Sequence, residues 1–355
     1  MAFDFSSVFS RAFFGICWLI LSLLITAASY GQQTETDERL TIESARPIMK
    51  AAERYKPRPK FIELEWQSLS NFNMDALSNV VENSDARVTQ NLIRQVKLKF
   101  PLILKEGMNL VGGFGYRHEQ FEFDRVSRPG HPFYSRFDDK SLKRIMSSFY
   151  LKKDLENNRF LFAFLNNSLN SDEPQFRNFF DQLKSSFALV YGKRSNPNKE
   201  VGYGLSFGYD LGQPTVFPLF IYNHDFSLHW GLELLLPKSA KLRYSPSNAL
   251  HLYATAEVQG ASYHVQDSVL SGFDRLEFRR SSLRANLTVE REIYDWLWFG
   301  ATAGYRLPLN LFLSEPGENR RDSIIELDVR TSVYYNFSIF IVPPAKLYKR
   351  AKGSG

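Results

Sequence analysis

Cysteine is almost absent from this chain. The single one, Cys17, lies in an apolar N-terminal segment. Phe14, Gly15 and Ile16 precede it, whereas a lipoprotein signal requires small residues just before the cysteine, so lipidation is not expected. If the segment is removed, the mature chain has no cysteine. A disulfide, a thiol nucleophile and a cysteine metal site are then excluded.

Long apolar runs and basic blocks are also missing after residue 27. A membrane-spanning helix needs about 20 consecutive apolar residues, and no such run follows Ala27. A mature chain that crosses a membrane must therefore do so as a closed barrel, in which every backbone polar group is paired. The 44 Lys and Arg against 38 Asp and Glu give a formal net charge of +6 without a basic block, so nucleic acid is not expected as a partner.

The N-terminal segment has the features of a secretory signal peptide. Arg11 supplies a thin positive region, residues 12–27 are apolar, and Ser29 and Gly31 suit the −3 and −1 positions of a cleavage site. The pattern predicts a signal peptide at 1–31 and a mature chain that begins at Gln32. The alternative is an uncleaved anchor, although the apolar run is slightly short for one.

The strongest pattern that is present has a period of two. Every second residue from Ile325 to Ile341 falls on one mostly apolar face, whereas Glu326, Asp328 and Arg330 begin the opposite, polar face. The segment is longer than an ordinary strand of about 5–6 residues. Long strands with one apolar and one charged face are typical of barrels that sit in lipid with a polar interior.

Fourteen such segments follow a polar extension at 32–59, and the two short ones near 216–223 and 240–245 leave twelve as the alternative count. The predicted fold is all-β: a membrane-spanning, antiparallel, up-and-down β-barrel of 12–14 strands over residues 60–342, with a basic tail at 343–355. The predicted strands are Lys60–Ser70, Gln90–Leu104, Met108–Phe123, Lys140–Lys153, Asn158–Leu169, Gln182–Lys193, Glu200–Asp210, Val216–Asn223, Phe226–Leu236, Ala240–Ser245, Ala249–Val265, Arg275–Arg291, Trp296–Leu309 and Ser323–Val342.

Connection lengths support the barrel over a soluble β-sandwich. Tight turns, such as Lys105–Gly107 and Glu292–Asp295, alternate with long polar loops. The predicted long loops are Asn71–Thr89, Asp124–Asp139, Asn170–Asp181, Gln266–Asp274 and Asn310–Asp322. Outer-membrane barrels have short periplasmic turns and long external loops, and a sandwich has no reason to alternate in this way. Two connections expected outside, 211–215 and 237–239, are short.

Three stretches carry a resemblance to a known family. VKLKFPLILK at 96–105, GGFGYRH at 112–118 and LPKSAKLRY at 236–244 resemble an uncharacterised family of outer-membrane β-barrels, found mainly in Bacteroidota-type Gram-negative bacteria. The resemblance covers roughly residues 60–342. It implies a fold and an outer-membrane location, but no activity and no catalytic residues. The last predicted strand ends in Pro343 and Pro344 rather than a terminal Phe, which departs from the commonest barrel ending.

Candidate catalytic and metal sites are weak. The glycines of Gly202–Gly208 lie within a strand pattern, where they ease close packing, rather than at a phosphate-binding turn. None of the six His residues forms a helical metal pair. Ser168 and Ser262, the latter near His264, lack a motif for nucleophilic catalysis. The sequence therefore predicts no enzyme activity, no cofactor and no metal.

Charged residues on the predicted inward strand faces are the only group of residues for which the sequence suggests a functional role. The candidate lumen-lining residues are Glu257, Arg284, Glu290, Glu326, Asp328 and Arg330. Arg284 and Glu290 are expected on a strand adjacent to that of the last three. The charges are interpreted either as an interior salt-bridge network that fills the barrel or as a selectivity lining for a solute. Both signs occur, so no ion preference is predicted.

The sequence thus predicts an outer-membrane protein that acts as a passive channel or transporter-like pore for small solutes. The alternative is a closed barrel whose long external loops bind a partner, a glycan or another ligand. The expected partners are outer-membrane lipid, the barrel-assembly machinery and a small solute. Whether inward side chains and loops plug the lumen separates the two functions.

Overall fold

The computed structural model describes residues 55–175, 179–209, 213–265, 270, 272–273 and 275–344. These residues belong to one compact unit, Ile48–Gly355. The predicted signal peptide and cleavage site, most of the extension at 32–59 and nearly all of the tail at 343–355 lie outside the described residues, so those predictions stay predictions.

Segments with a period of two form β-strands throughout the described residues, and sixteen of them make one sheet with antiparallel neighbours. The strands are β1 Ile62–Leu69, β2 Phe72–Ser78, β3 Ser84–Lys105, β4 Met108–Asp124, β5 Leu142–Leu155, β6 Arg159–Ser171, β7 Leu183–Asn196, β8 Lys199–Gly208, β9 Thr215–His224, β10 Trp230–Leu236, β11 Ser239–Ser247, β12 Leu250–Val265, β13 Leu276–Tyr294, β14 Leu297–Ser314, β15 Ile325–Val329 and β16 Ser332–Ile341. Helices α1 (Pro132–Asp139) and α2 (Phe179–Gln182) and a 3-10 turn at Arg320–Asp322 lie in connections. Among the described helices, none has the length and apolar content needed to cross a membrane.

The sheet closes on itself because its first and last strands pair with each other. β1 pairs with β16 and β3, and β2 pairs with β15 and β3. β1 and β2 are therefore two parts of one barrel strand interrupted at Ser70–Asn71, and β15 and β16 are two parts of another interrupted at 330–331. The described residues thus form a closed, fourteen-stranded, up-and-down barrel, which confirms the predicted fold at its higher strand count. Closure leaves no unpaired sheet edge.

Connections at the two ends of the barrel differ in length. We call the end that carries both ends of the sheet the short-turn end, because its connections include the two-residue turns at 106–107, 197–198 and 295–296. The opposite, long-loop end has the long connections at 125–141, 172–182, 266–275 and 315–324, together with short ones at 79–83 and 237–238. The predicted alternation of turns and loops is confirmed in this pattern.

Predicted strand bounds are wrong by four residues or more at the start of β3, at the start of β10 and at the end of β14, which is Ser314 rather than Leu309. The loop predicted at Asn71–Thr89 contains β2 and the start of β3, which leave 79–83 as a turn. The strand predicted at Phe226–Leu236 begins at Trp230. The reason for the second error is local: the Ser227 hydroxyl accepts the backbone N–H groups of His229 and Trp230 and holds this segment in the turn.

Half of the barrel nearer the short-turn end is apolar outside and polar inside. We call its outward apolar side chains the apolar belt. Exposed members of the belt include Phe100, Leu102, Phe114, Phe149, Leu165, Phe187, Leu205, Leu242, Leu287, Val289, Phe299 and Ile339. Such a surface on a closed barrel suits the hydrocarbon of a bilayer.

Near the long-loop end this polarity is reversed. β3 has 22 residues, about 70 Å at roughly 3.3 Å per residue, whereas a strand crosses a bilayer in about 9–11 residues. The remainder buries apolar side chains inside the barrel and turns polar ones outward. We call the inward cluster the apolar cap; its buried members include Phe72, Met74, Ala76, Ala86, Val88, Phe121, Phe133, Tyr134, Phe137, Tyr263, Phe278, Leu313, Ile325, Leu327 and Val329.

Irregular backbone makes the reversal possible in four described places, one of which is the register shift between Pro308 and Asn310 of β14. The interruption at Ser70–Asn71 exchanges the inward face from odd residues in β1 to even residues in β2. A register shift between Val88 and Gln90 does the same in β3, and the interruption at 330–331 does so between β15 and β16. One extra residue moves every following side chain to the other face.

The apolar cap closes the long-loop end. Helix α1 packs into it through Phe133, Tyr134 and Phe137. The Tyr134 hydroxyl lies 2.7 Å from the carbonyl oxygen of Met74 and 3.1 Å from that of Ser84. Burial raises the pKa of the Tyr134 phenol, so the hydroxyl stays protonated and donates. The segment predicted as an outer loop therefore reaches into the barrel.

The β12–β13 hairpin leans across the same end. His264 forms a parallel bridge with Ser171 of β6, which is not its neighbour in the barrel. The Lys184 ammonium lies 2.5 Å from a Glu277 carboxylate oxygen, and the Asn170 amide donates to the carbonyl oxygen of Ser262 at 2.8 Å. β10, one of the strands between β6 and β12, has only seven residues. The barrel wall is therefore short at this point, and the hairpin crosses above it.

Val289→Arg is expected to destabilise the barrel by about 2–4 kcal/mol near the bilayer midplane, because it places a charge on the apolar belt. Val289 faces outward and is 43% exposed. Asp328→Arg is the matched control: it puts the same side chain on the outward face beside the apolar cap, where water solvates it, and is expected to change the free energy of unfolding by less than about 0.5 kcal/mol. Urea unfolding from lipid vesicles measures both. Equal costs would contradict the reversal of polarity.

Candidate functional site

Two cavities in the described part of the barrel are lined by inward side chains. The inner cavity, about 340 Å³, lies against the apolar cap, since Phe72, Tyr263 and Phe278 line it. The rim cavity, about 610 Å³, lies at the short-turn end beside Lys56 and Pro57. Binding sites for small molecules commonly measure about 300–1,000 Å³, so both are large enough for a small solute.

Basic side chains dominate the wall of the inner cavity. They come from strands on both sides of the interior, and the two-residue β10–β11 connection contributes one more. The seven are Lys97, Arg117, Arg144, Lys238, Arg280, Arg284 and Arg306. Among the described residues, no Asp or Glu lines this cavity. The strand period brings the other six basic residues together, because each occupies an inward position on its own strand.

Glu119 is the buried counter-charge for two of these arginines. It is 0% exposed, and its two carboxylate oxygens accept from Arg280 at 2.6 and 2.5 Å in a bidentate pair. Arg117 donates to it at 3.2 Å and the Asn91 amide at 3.1 Å. This pair joins β4 to β13 across the interior and is of the strong, geometrically specific kind.

Three arginines of the cavity have no carboxylate partner within the described chain. Arg284 donates to the Gln67 amide oxygen at 3.1 Å, and Arg144 donates to that of Asn170 at 3.0 Å. Arg306 has no such bond, and its guanidinium lies over the Phe72 ring at 4.7 Å. Arg284 and Arg306 are 6% and 9% exposed, and the Nε of each lacks a hydrogen-bond partner.

Acidic residues collect closer to the short-turn end, where they are paired. Lys97 lies 2.8 Å from Glu65 and 3.5 Å from Glu63. Lys60 lies 2.5 Å from Glu63 and 2.8 Å from Glu290. These carboxylates are satisfied by the lysines between them, so they do not neutralise the arginines of the inner cavity.

The wall formed by β6 to β10 is apolar on its inner side. Ala188, Val190 and Leu219 are buried there, and Phe164 and Phe217 pack against them. Lys238 connects this apolar wall to the inner cavity, because its ammonium lies 6.0 Å from the ring of Phe164 and 5.8 Å from that of Phe217. One side of the lumen is thus apolar and the other cationic.

The described part of the N-terminal extension is fastened across the rim of the short-turn end. Arg58 donates to Asp295 at 2.9 Å and to the carbonyl oxygen of Pro343 at 2.8 Å, and it pairs with Glu292 at 3.3 Å. Lys56 pairs with Asp225 at 2.6 Å. The extension therefore contacts two turns and the end of the last strand, and it borders the rim cavity.

The candidate residues divide into two groups. Glu257, Arg284 and Glu290 face the interior, so a lumen lining stays a prediction for them. The prediction is wrong for Glu326, Asp328 and Arg330, which face outward, because the interruption at 330–331 exchanges the faces and the neighbouring odd residues enter the apolar cap. Nor is β13 adjacent to β15 and β16, since β14 lies between them.

Other motifs take structural roles. The Gly202–Gly208 segment lies in β8, and a Cβ at Gly204 would fall 2.0 Å from the carbonyl oxygen of Leu189, which confirms the close-packing interpretation. The Ser262 hydroxyl donates to Glu277 at 3.1 Å rather than to His264. Within the described ranges, no group of three His, Cys, Asp or Glu is placed to hold a metal.

Sequence reasoning missed most of the basic cluster. Arg284 was predicted to line the lumen, but Arg117, Arg144, Arg280 and Arg306 were not singled out. A signal existed: each shares its strand face with other inward residues, and Arg280 and Arg284 are four apart on β13. The proximity of these basic residues in space could not be predicted from the sequence, because the strands that bear them are far apart along the chain.

Comparisons with known proteins place the chain in a family without a known activity. The model of a domain of unknown function, DUF6268, matches residues 135–317. This is more than half of the chain, and the protein belongs to that family. The resemblance to an uncharacterised family is confirmed at this level, whereas the bacterial group inferred from it stays a prediction. No curated protein matches the chain.

Several solved barrels show a remote similarity. An outer membrane channel from Pseudomonas putida F1 is 12% identical, covering 84% of this chain and 100% of that chain, with a TM-score of 0.33. The NanC porin is 5% identical, covering 79% and 100%, with a TM-score of 0.33. The P. putida toluene transporter TodX is 10% identical, covering 84% and 92%, with a TM-score of 0.35.

Glu119→Gln is expected to lower the free energy of unfolding by about 3–5 kcal/mol, because it leaves Arg280 and Arg117 without their shared buried counter-charge. Glu122→Gln is the matched control on the same strand, since Glu122 faces outward and is exposed; it is expected to change that free energy by less than about 0.5 kcal/mol. Urea unfolding of the refolded barrel measures both. A small effect at Glu119 would mean that water solvates the pair.

Proposed function

We propose that this protein is an outer-membrane barrel that passes small solutes through its lumen. The observation that carries the proposal is the inner cavity inside a closed barrel with an apolar belt. A fourteen-stranded barrel is wider than the eight-stranded barrels that side chains fill, so its lumen has room for a chamber that a small solute can enter. The proposal includes no catalytic step.

The proposed location follows from the belt and the connection lengths. Outer-membrane barrels have short turns in the periplasm and long loops outside. In this orientation the extension and the tail lie in the periplasm, and the apolar cap projects outside the bilayer. Outer-membrane lipid surrounds the belt, and the barrel-assembly machinery inserts the chain.

Passage requires the apolar cap to open. Helix α1 has eight residues, too few to be stable without tertiary contacts, so its position depends on Phe133, Tyr134 and Phe137. Withdrawal of α1 removes three large side chains from the cap at once. We therefore assign the gate to α1 and the adjoining loop.

A second function is favoured by the same cap. The long-loop half of the barrel is filled by an apolar core, as in a barrel that stays closed and acts through its surface. In that case the long external loops bind a partner, a glycan or another ligand, and the inner cavity does not conduct. Conductance separates the two functions.

Planar-bilayer recording of the refolded protein tests the gate. Phe133→Asp combined with Phe137→Asp is expected to expel α1 and to raise the open probability several-fold over wild type, because buried unpaired charges are strongly disfavoured. Ser135→Asp is the matched control, since Ser135 lies on the same helix and is exposed; it is expected to behave like wild type. Heat-modifiable gel mobility checks that each variant is a folded barrel. Absence of conductance in wild type and in the double variant would favour the closed barrel.

Labelling of intact cells tests the orientation. Pro129 lies in an exposed part of the connection before α1, and Gly130, at φ +83°, follows it in a turn. A peptide tag inserted there is expected to be reached by antibody on intact cells, because the long-loop end faces outward. A tag placed after residue 350 is expected to be reached only after permeabilisation. The reverse result would overturn the proposed orientation.

A further inference from the structure

The inner cavity has a charge imbalance that the barrel does not correct. Seven basic side chains line it, and no described Asp or Glu does. Glu119 forms ion pairs with Arg280 and Arg117. Glu63 and Glu65 form ion pairs with Lys97. Glu257 occupies the position opposite Arg284 on β12, but its carboxylate accepts from Gln259 at 2.7 Å, and no ion pair joins it to Arg284.

Aromatic faces, rather than carboxylates, hold the remaining guanidinium groups. Arg306 lies over Phe72 at 4.7 Å, Arg284 over Tyr334 at 5.0 Å and Arg144 over Tyr263 at 5.6 Å. A guanidinium that stacks on a ring keeps its N–H edge for a hydrogen-bonded partner. The Nε groups of Arg284 and Arg306 are buried without such a partner.

We propose that the inner cavity binds an oxyanion: the carboxylate, sulfate or phosphate group of a small solute, held by Arg284, Arg306 and Arg144. Planar guanidinium groups match such oxygens in bidentate geometry. The role of this site in transport rests on the proposed function, whereas binding itself does not.

The chemistry of the site discriminates against other solutes. Cations are repelled by the guanidinium groups of Arg284, Arg306 and Arg144, which have no ion-paired carboxylate among the described residues, in a space of low dielectric constant. A neutral solute leaves the buried arginines without a counter-charge, and an uncompensated buried charge is costly. An oxyanion accepts hydrogen bonds from the guanidinium groups that line the cavity and lowers the repulsion among the arginines, so it gains most from entering the cavity.

Isothermal titration of the refolded, detergent-solubilised protein tests the proposal with sodium sulfate, sodium phosphate and sodium benzoate, and with benzamide as the neutral analogue. At least one anion is expected to bind, with an affinity that falls as sodium chloride is added, and benzamide is expected to give no heat. The order of the three anions distinguishes a carboxylate site from a site for inorganic oxyanions.

Arg284→Gln and Arg306→Gln are each expected to weaken anion binding by roughly tenfold or more, because each removes a charge-assisted hydrogen bond from a buried site. Arg330→Gln is the matched control: it makes the same change on the outward face and is expected to bind like wild type. Arg306→Lys keeps the charge and loses the planar fork, so intermediate binding is expected. Since Arg284 and Arg306 have no carboxylate to lose, their Gln variants are expected to keep their thermal stability in anion-free buffer, unlike variants of a structural ion pair.

The proposal is overturned if no anion binds, or if binding is unchanged in both Gln variants. Heat-modifiable mobility confirms that each variant is folded before its binding is compared with that of wild type. Reversal potentials in a potassium chloride gradient separate this outcome from the transport proposal. A wild-type pore without anion preference and without anion binding overturns the oxyanion site and leaves transport standing. Anion binding without any conductance, including in the gate variant, overturns transport and leaves the oxyanion site standing.

Discussion

Each β-strand has two faces, and in this barrel the environments of those faces are exchanged partway along its length. Toward the short-turn end the outer face is apolar and the interior is polar; toward the long-loop end the interior is apolar and the outer face is polar. The strand interruptions, the register shift in β3 and the insertion of α1 all follow from this exchange. The inner cavity lies between the polar part of the interior and the apolar cap, where the inward side chains change from charged to apolar.

The sequence contained enough information for the strand number and most strand bounds, since a period of two identifies strands whatever surrounds them. It did not reveal the exchange of faces. A period of two is identical whether its apolar face meets lipid outside or protein inside, so Glu326, Asp328 and Arg330 were placed in the lumen although they face outward. The helix α1 was hidden for a related reason: Phe133 and Phe137 are one helical turn apart, but they lie in a loop that is polar on average.

The charge of the lumen lining was the property that could be predicted least well from the sequence. Both signs occur on inward faces, which suggested no preference. In the folded barrel these charges are paired unequally. The carboxylates nearer the short-turn end pair with lysines, and Glu119 pairs with Arg280, which is 161 residues away in sequence. Three arginines are left over in one place. The arrangement of charges in space, rather than their sum, sets the character of the lumen.

The contacts of Arg58 have a consequence for the order of assembly. Its acceptors include Asp295 and the carbonyl oxygen of Pro343, 237 and 285 residues further along the chain. They are in place only after the last strand has paired with the first, so these contacts form late. Contacts absent from the transition state slow unfolding without speeding folding. Arg58 therefore links the segment before the first strand to the segment after the last one, and these contacts must break if the seam between the two ends of the sheet is to open.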